Sequence, residues 1–400
     1  MKTNGIAPII TTLAALATLA LCANPAPPPP PPPVEANTGE TIHLLAIGNS
    51  YSDNATWLIP HLAKAGGKKL VIGHVWIGGC SFARHARHLA AAEKDPASEE
   101  ALAYNNLDKR IFGPGKKITL VEALAAAKWD FVSIQQASLS SFQPSQYEPY
   151  GTRLIEGIRR HAPRAEILVH ETWAYREDHD YFKKHPEYNQ KRMYEILSTE
   201  YRKFADRHGL RLIPTGDAMY AASQTERWTP RKDPDFDYEN PPKGKRPREK
   251  GSLYVGWVWR KDAQGEEKFI LDVTHASGAG CYVGALAFYE TIFREPALGL
   301  ASYVPPRVTP GEATDLRQFV HAAVMAENAR KASLPKAPQA RNDAHRRFRL
   351  FPRRQRRPPG VSNFGSTFSV ETTGREGGGG REAKAIPPLF PPKTSKNSQD

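Results

Sequence analysis

Two short stretches, more than two hundred residues apart, hold residue types that could do chemistry together. One is Gly48-Asn49-Ser50-Tyr51-Ser52 and the other is Asp272-Val273-Thr274-His275. A serine hydroxyl becomes a nucleophile when a base lies within hydrogen-bond reach and a carboxylate holds that base in the right tautomer. Asp272 and His275, three residues apart on one loop, have the reach for this: the carboxylate takes the near ring nitrogen and leaves the far one for Ser50. Ser50 is therefore assigned as nucleophile, His275 as general base and acid, and Asp272 as the group that orients it. Ser52, two residues on, is the rival hydroxyl. Each of these residues has a bland alternative. A serine here can be a helix N-cap, and a lone histidine is most often a loop residue, with twelve others in this chain.

Nucleophilic attack also needs donors aimed at the developing oxyanion. The Ser50 backbone N–H is the first. Gly79, in Ile77-Gly78-Gly79-Cys80-Ser81, is the second, because a glycine lets the backbone come close to a ligand; Gly78 is the alternative. Asp53, Asn54, Glu171, Trp173 and Asp217 follow strands or the nucleophile turn and are expected to line the pocket, together with Gln135. His85 and His88, flanked by Arg84 and Arg87, sit three apart on an expected helix. No carboxylate follows at zinc-like spacing, so no metal is assigned, and these four residues are read as contacts to an anionic or sugar substrate, or as solvated.

The elements that must position these residues are legible as hydrophobic runs bounded by turn residues. Ile42–Ile47, Lys69–Val75, Phe131–Ile134, Ile167–Val169 and Leu210–Ile213 read as short parallel strands covered on both faces. Helical patterns alternate with them: Trp57–Ala65, Leu120–Ala127, Tyr150–His161, Lys191–His208 and Ala279–Arg294. That alternation predicts a right-handed, doubly wound α/β/α sandwich, in which ligands sit beyond the carboxyl ends of the strands. Each chemical motif above falls just after a strand. Residues 227–250, rich in Pro, Asp, Lys and Arg, break the pattern and precede an aromatic segment, Leu253–Arg260. The two are expected to form an irregular insertion and a short strand, packed over the site as a lid or wall.

At this point the sequence resembles the SGNH (GDSL-like) esterases. Ile47-Gly48-Asn49-Ser50 after a strand matches their first block, and the late Asp-x-x-His matches their last. More narrowly it is similar to a poorly characterised bacterial SGNH-like family, with its GNSYSDNA opening, GGCS loop, IQQAS loop and HETWAYR segment, over roughly residues 42–295. The resemblance implies a three-layer α/β/α sandwich of flavodoxin-like type with a mostly parallel five-stranded sheet. It also implies ester hydrolysis through an acyl-enzyme without a cofactor, on a substrate such as a short acyl group, acetyl for example, on a carbohydrate. Most such enzymes place an asparagine after the third strand as a further oxyanion donor. Here Ser133-Ile134-Gln135-Gln136-Ala137 has none, and Gln136 is assigned to the role, with Gln135 next. Trp173, Trp257 and Trp259 are candidates for stacking on sugar rings. A non-catalytic glycan- or surface-binding protein on the same fold, or a lipase or thioesterase, are the alternatives.

The remaining sequence bounds where such a protein works. Residues 1–23 read as a cleaved secretion signal, with Lys2, an apolar run from Leu13 to Leu21 and small residues around Ala23. The run is shorter than the roughly 20 apolar residues of a membrane anchor, and Leu21 before Cys22 disfavours a lipoprotein. Residues 24–40 carry an unbroken proline run, Pro27–Pro33, expected to be a stiff spacer. The core domain is expected over 41–300, with a C-terminal extension over 301–335. The net charge is +13, and residues 336–400 hold 14 Lys and Arg against 5 Asp and Glu, so nine of those charges lie in the tail. Its Pro and Gly content predicts disorder, with contact to an anionic surface as its one candidate role; export disfavours nucleic acid. Cys80 and Cys281 are left either as a disulfide or as two free thiols.

Overall fold

The computed structural model describes residues 41–104 and 115–335; the expected signal, spacer and basic tail lie outside them. Five parallel strands form the central sheet: β1 (Thr41–Gly48), β2 (Lys69–Trp76), β3 (Phe131–Ile134), β4 (Glu166–His170) and β5 (Arg211–Ile213), in the order β2-β1-β3-β4-β5. β1 sits inside the sheet, pairing with both β2 and β3. Leu44, Leu45, Ala46 and Ile47 are all buried although neighbours point to opposite faces, which requires helices on both sides. The result is the expected three-layer α/β/α sandwich, built around one continuous apolar core.

Several helices matter for the site. α1 (Ser50–Thr56) starts two residues past the end of β1, and α2 (Ile59–Ala65) follows it. The sequence reads a helical pattern over Trp57–Ala65 and sets Ser50 at a helix N-terminus; the structure has two helices here, the first starting at Ser50 with Asn49 as its cap, and the chain is re-aimed at Leu58 before Pro60. α3 (Phe82–Lys94) follows β2, α4 (Leu120–Ala125) precedes β3, α5 (Ser138–Ser141) follows it, and α6 (Tyr150–His161) precedes β4. α7 (Asp180–Lys184) and α8 (Gln190–Arg207) come between β4 and β5, and α9 (Thr215–Ser223) comes after β5.

Outside the main sheet, β6 (Tyr254–Lys261) and β7 (Glu267–Ala276) form an antiparallel pair. This corrects one expectation: Asp272 and His275 lie on the end of strand β7, not on a loop. β7 runs directly into α10 (Gly278–Phe293), whose residues are buried on every side, as a central helix must be. α10 packs tightly on α1: a methyl group at Gly284 would come within 2.6 Å of the Ala55 backbone. Only glycine allows that approach, and through it the helix after His275 and the helix carrying Ser50 are locked together. The chain from residue 301 adds α11 (Pro310–Ser333), which packs on α10 and α9. No helix among the described residues is long and apolar enough to cross a membrane.

Candidate active site

Ser50 occupies the first turn of α1 because β1 ends at Gly48 and Asn49 caps the helix. The Asn49 side chain does two jobs: its Oδ1 accepts from the Tyr51 N–H at 3.0 Å, and its Nδ2 donates to the Cys80 carbonyl at 3.1 Å. One buried amide therefore fixes both the nucleophile turn and the loop that carries Gly78 and Gly79. The Ile77 N–H adds a second tie by donating to the Gly48 carbonyl at 3.2 Å. Gly79 adopts φ +63°, a conformation that favours glycine, and space beside it is open.

Ser50 Oγ lies 2.9 Å from His275 Nε2, across 225 residues of chain. On the other side of the ring, Nδ1 stands 3.1 and 3.0 Å from the two Asp272 oxygens. Asp272 Oδ1 also accepts from the backbone N–H groups of Thr274 and His275, at 3.2 and 3.0 Å. Arg260, on the adjacent strand, donates from Nη2 to Asp272 Oδ2. Burial alone would raise the Asp272 carboxyl, but the hydrogen bond and charge of His275, its backbone N–H and the Arg260 guanidinium outweigh it and hold the group far below the usual carboxylate range. Asp272 is thus an acceptor-only group facing Nδ1–H, which leaves Nε2 to accept from the serine O–H. Ser52, by contrast, is buried 3 % exposed against Gly48 with its backbone tied to Thr56, and its hydroxyl is not the one paired to His275.

The segment after β4 braces the end of β7. Trp173 Nε1 donates to the Thr274 carbonyl at 3.0 Å, the Arg176 N–H donates to the Val273 carbonyl at 3.0 Å, and His179 Nε2 is 3.0 Å from Thr274 Oγ1. Trp173 also stacks on Tyr51 with ring centroids 4.3 Å apart, and Tyr51 lies 6.2 Å from the His275 ring. From the other side, Asn54 Oδ1 accepts from the Ala276 N–H at 3.2 Å. Asn54 and Trp173 therefore hold the histidine strand to the nucleophile helix instead of lining a pocket.

The structure corrects several other assignments. Gln136 is fully buried and its amide is spent internally: Oε1 accepts from the Phe82 and Ala137 N–H groups at 3.0 and 2.9 Å, and Nε2 donates to the Gln146 carbonyl at 2.7 Å. One of its two amide hydrogens is committed to that carbonyl and its oxygen is doubly occupied, so the side chain is anchored within the core. Gln135 lies nearer the nucleophile turn, its side chain packed against Gly48. Its Nε2 makes a 3.3 Å contact with the Gln136 carbonyl, and its buried Oε1 has no partner among the described residues. Glu171 and Asp217 meet Arg202, Glu171 at 3.2 Å, and Asp217 also accepts from Tyr194 at 2.9 Å. They belong to a buried ion cluster. Asp53 stays half-buried on α1, its charge acting on Cys281.

His85 and His88 are buried, not solvated: His85 Nδ1 is 2.8 Å from the Tyr104 hydroxyl and His88 Nδ1 is 2.6 Å from Glu100. Burial and the neighbouring His88 push His85 down to about 3, so it is a neutral core histidine. Among the described residues no group of three metal-ligating side chains comes together. Cys80 and Cys281 are free, buried thiols, each pushed up to about 12 by burial. Trp257 and Trp259 point away from Asp272: they share a strand face with Phe269, at 4.9 and 5.3 Å, and Phe236 and Tyr238 of the 227–250 insertion pack onto it. The insertion thus covers the back of the hairpin. Arg260 and Asn49 were not singled out from sequence. The capping signature Asn-x-x before a helix would have found Asn49; Arg260 becomes visible only once the β6–β7 pairing puts it on the same hairpin face as Asp272.

With this geometry established, comparison with known proteins adds the following. Residues 43–233 match the family model described as a domain of unknown function, DUF4886. A solved structure of a DUF4886 family protein from Bacteroides uniformis is 26% identical, with a TM-score of 0.52, covering 72% of this chain and 95% of that one. A protein from Slackia heliotrinireducens provisionally described as an SGNH hydrolase is 19% identical, with a TM-score of 0.38, covering 63% of this chain and 100% of that one. A protein from Parabacteroides merdae provisionally described as a GDSL-like lipase is 11% identical, with a TM-score of 0.35, covering 65% and 100%. No curated protein matches the chain significantly.

Proposed function

We propose that this chain, similar over residues 43–233 to the DUF4886 family, is a serine hydrolase that cleaves an ester through an acyl-enzyme. The observation that carries this reading is the continuous hydrogen-bonded line from Ser50 through His275 to Asp272. In the proposed cycle His275 Nε2 accepts the Ser50 proton as Oγ attacks the ester carbonyl. The Ser50 and Gly79 N–H groups hold the oxyanion, and the proton passes from His275 to the departing alkoxide. Water, deprotonated by the same imidazole, then releases the acid and regenerates the serine.

We place the protein outside the cytoplasm, on the strength of residues 1–23 and the proline run that follows. The substrate class we favour is a short acyl ester, such as acetyl on a carbohydrate, which follows from the family resemblance. The test is a chain-length series of p-nitrophenyl esters alongside acetylated oligosaccharides. The reading expects kcat/KM to be highest for acetyl and acetate to be released from at least one glycan. A maximum at octanoyl or longer would replace it with a lipase. Absence of turnover, with glycan binding unchanged in Ser50→Ala, would replace it with a binding protein.

A further inference from the structure

Arg260 shares the Asp272 carboxylate with His275. Its position is unusual for a hairpin: the β6–β7 register sets it directly opposite Lys268, a pairing of like charges that a two-stranded ribbon disfavours. Each cation finds its own acid. Lys268 pairs with Asp262 at 2.6 Å out toward the hairpin turn, whereas Arg260 reaches inward along the same face to Asp272, which is 6 % exposed. A glutamate at position 260 would serve the hairpin better. An arginine there serves Asp272.

The other groups around the pair are accounted for. From α1 come Ser50, Tyr51 and the half-buried Asp53; from α10 comes Cys281, a buried thiol. From the segment after β4 come His179, which burial pushes down and which meets Thr274, and Arg176, whose guanidinium is held by Asp178 at 2.7 Å and Glu249 at 3.8 Å. Tyr254 on β6 is buried, its hydroxyl donated to the Ala174 carbonyl. Among the described residues Arg260 is thus the cation paired with the orienting carboxylate.

We propose that Arg260 is a positioning residue for the serine reaction. By holding Asp272 Oδ2 it fixes the carboxylate against the imidazole and offsets part of its negative charge. The proposal rests on the triad reading above. Arg260 touches neither serine nor substrate, and acts through Asp272. The sign is fixed by Coulomb's law: a cation near a base disfavours its protonated form, and partial neutralisation of Asp272 removes stabilisation of the imidazolium.

The test is the rate of covalent labelling by a fluorophosphonate, measured from pH 5 to 9, which needs no knowledge of the natural substrate. In wild type the rate should fall through an acid limb as the base is protonated. Arg260→Gln should move that limb to higher pH, by on the order of half a unit or more. Arg260→Lys should restore most of the displacement. Lys268→Gln, which removes an equal charge from the facing residue paired to Asp262, should leave the limb in place and controls for general loss of positive charge. Matching circular dichroism spectra would show that each variant is folded. An Arg260→Gln profile superimposed on wild type overturns the proposal and leaves the triad standing; equal displacement by Lys268→Gln also overturns it. Failure of the wild-type protein to label at any pH removes the triad reading, and this proposal with it.

Discussion

At the scale of single residues, the site is held by a few polar side chains that each bind several partners. Asn49 spends both ends of its amide on the backbone around Ser50 and Gly79, and Asp272 accepts from an imidazole, two backbone N–H groups and a guanidinium. The depressed Asp272 carboxyl has a consequence for stability. Its folded-state value lies below its unfolded one, so its contribution is present above the unfolded carboxylate range, near pH ~4, and is lost as pH falls further. Asp272→Asn should therefore be less stable than wild type at neutral pH, with the difference between their thermal midpoints closing below about pH 4. Thermal melts at a series of pH values check this; a gap that stays constant to pH 2.5 contradicts it. The same residue scale shows why Gln136 misled. Successive residues leaving a strand point to opposite sides, so Gln135 and Gln136 present their amides in different directions. The sequence shows two amides at the right place in the chain, and only the packing of Phe82 and Gln146 around Gln136 decides which is consumed.

At the scale of elements, the site is held by contacts between pieces that are far apart in sequence. Ser50, the proposed nucleophile, comes from the first strand-to-helix turn, while His275 and Asp272, its proposed base and orienting carboxylate, arrive on a hairpin that pairs with no strand of the main sheet. Asn54 is the bracket between them, and Gly284 lets α10 close on α1 behind them. Asn54→Ala should thus lower the maximal labelling or turnover rate by roughly tenfold, as a small loss of alignment does, while shifting the unfolding free energy by only about 1 kcal/mol for one lost hydrogen bond. Equal loss of rate and stability would mark the bracket as merely structural. The five sheet strands were legible because each is an apolar run buried on both faces, such as Leu44–Ile47. β7 was not: Leu271-Asp272-Val273-Thr274 does alternate, but the face that carries Asp272 is turned inward, with Asp272 buried and Leu271 only half-buried, so polarity does not mark the outside. α11 was missed for a related reason. It buries Ala313, Leu316, Val320 and Val324 at helical spacing, but Arg317 and Glu327 share that buried face, with Glu327 on Arg202 at 3.1 Å and Arg330 on Asp206 at 2.7 Å, so charge interrupts the apolar stripe.

At the scale of the whole molecule, α11 is tied into the sandwich by the Arg202 cluster. Glu171 after β4, Asp217 on α9 and Glu327 on α11 converge on the one guanidinium. Burial, and then Asp217, push the Glu171 carboxyl well above its ordinary range, and Arg202 is what opposes them. Arg202→Met leaves Glu171 and Asp217 without the cation they share, while Glu327 keeps Arg330 at 2.7 Å, and should cost about 3–5 kcal/mol in chemical denaturation at pH 7. Because Glu171 takes up a proton as pH falls, the penalty should shrink at pH 5; a penalty that grows there would contradict this view of the cluster. With the scaffold so built, the proposed chemistry rests on Ser50. The most direct measurement is labelling of the folded protein with a fluorophosphonate, followed by mass spectrometry of the modified peptide. The structure predicts a single adduct on Ser50, absent from Ser50→Ala and His275→Ala and present in Ser52→Ala. An adduct on Ser52, or no adduct on folded protein, would contradict the assignment of Ser50 as an activated nucleophile.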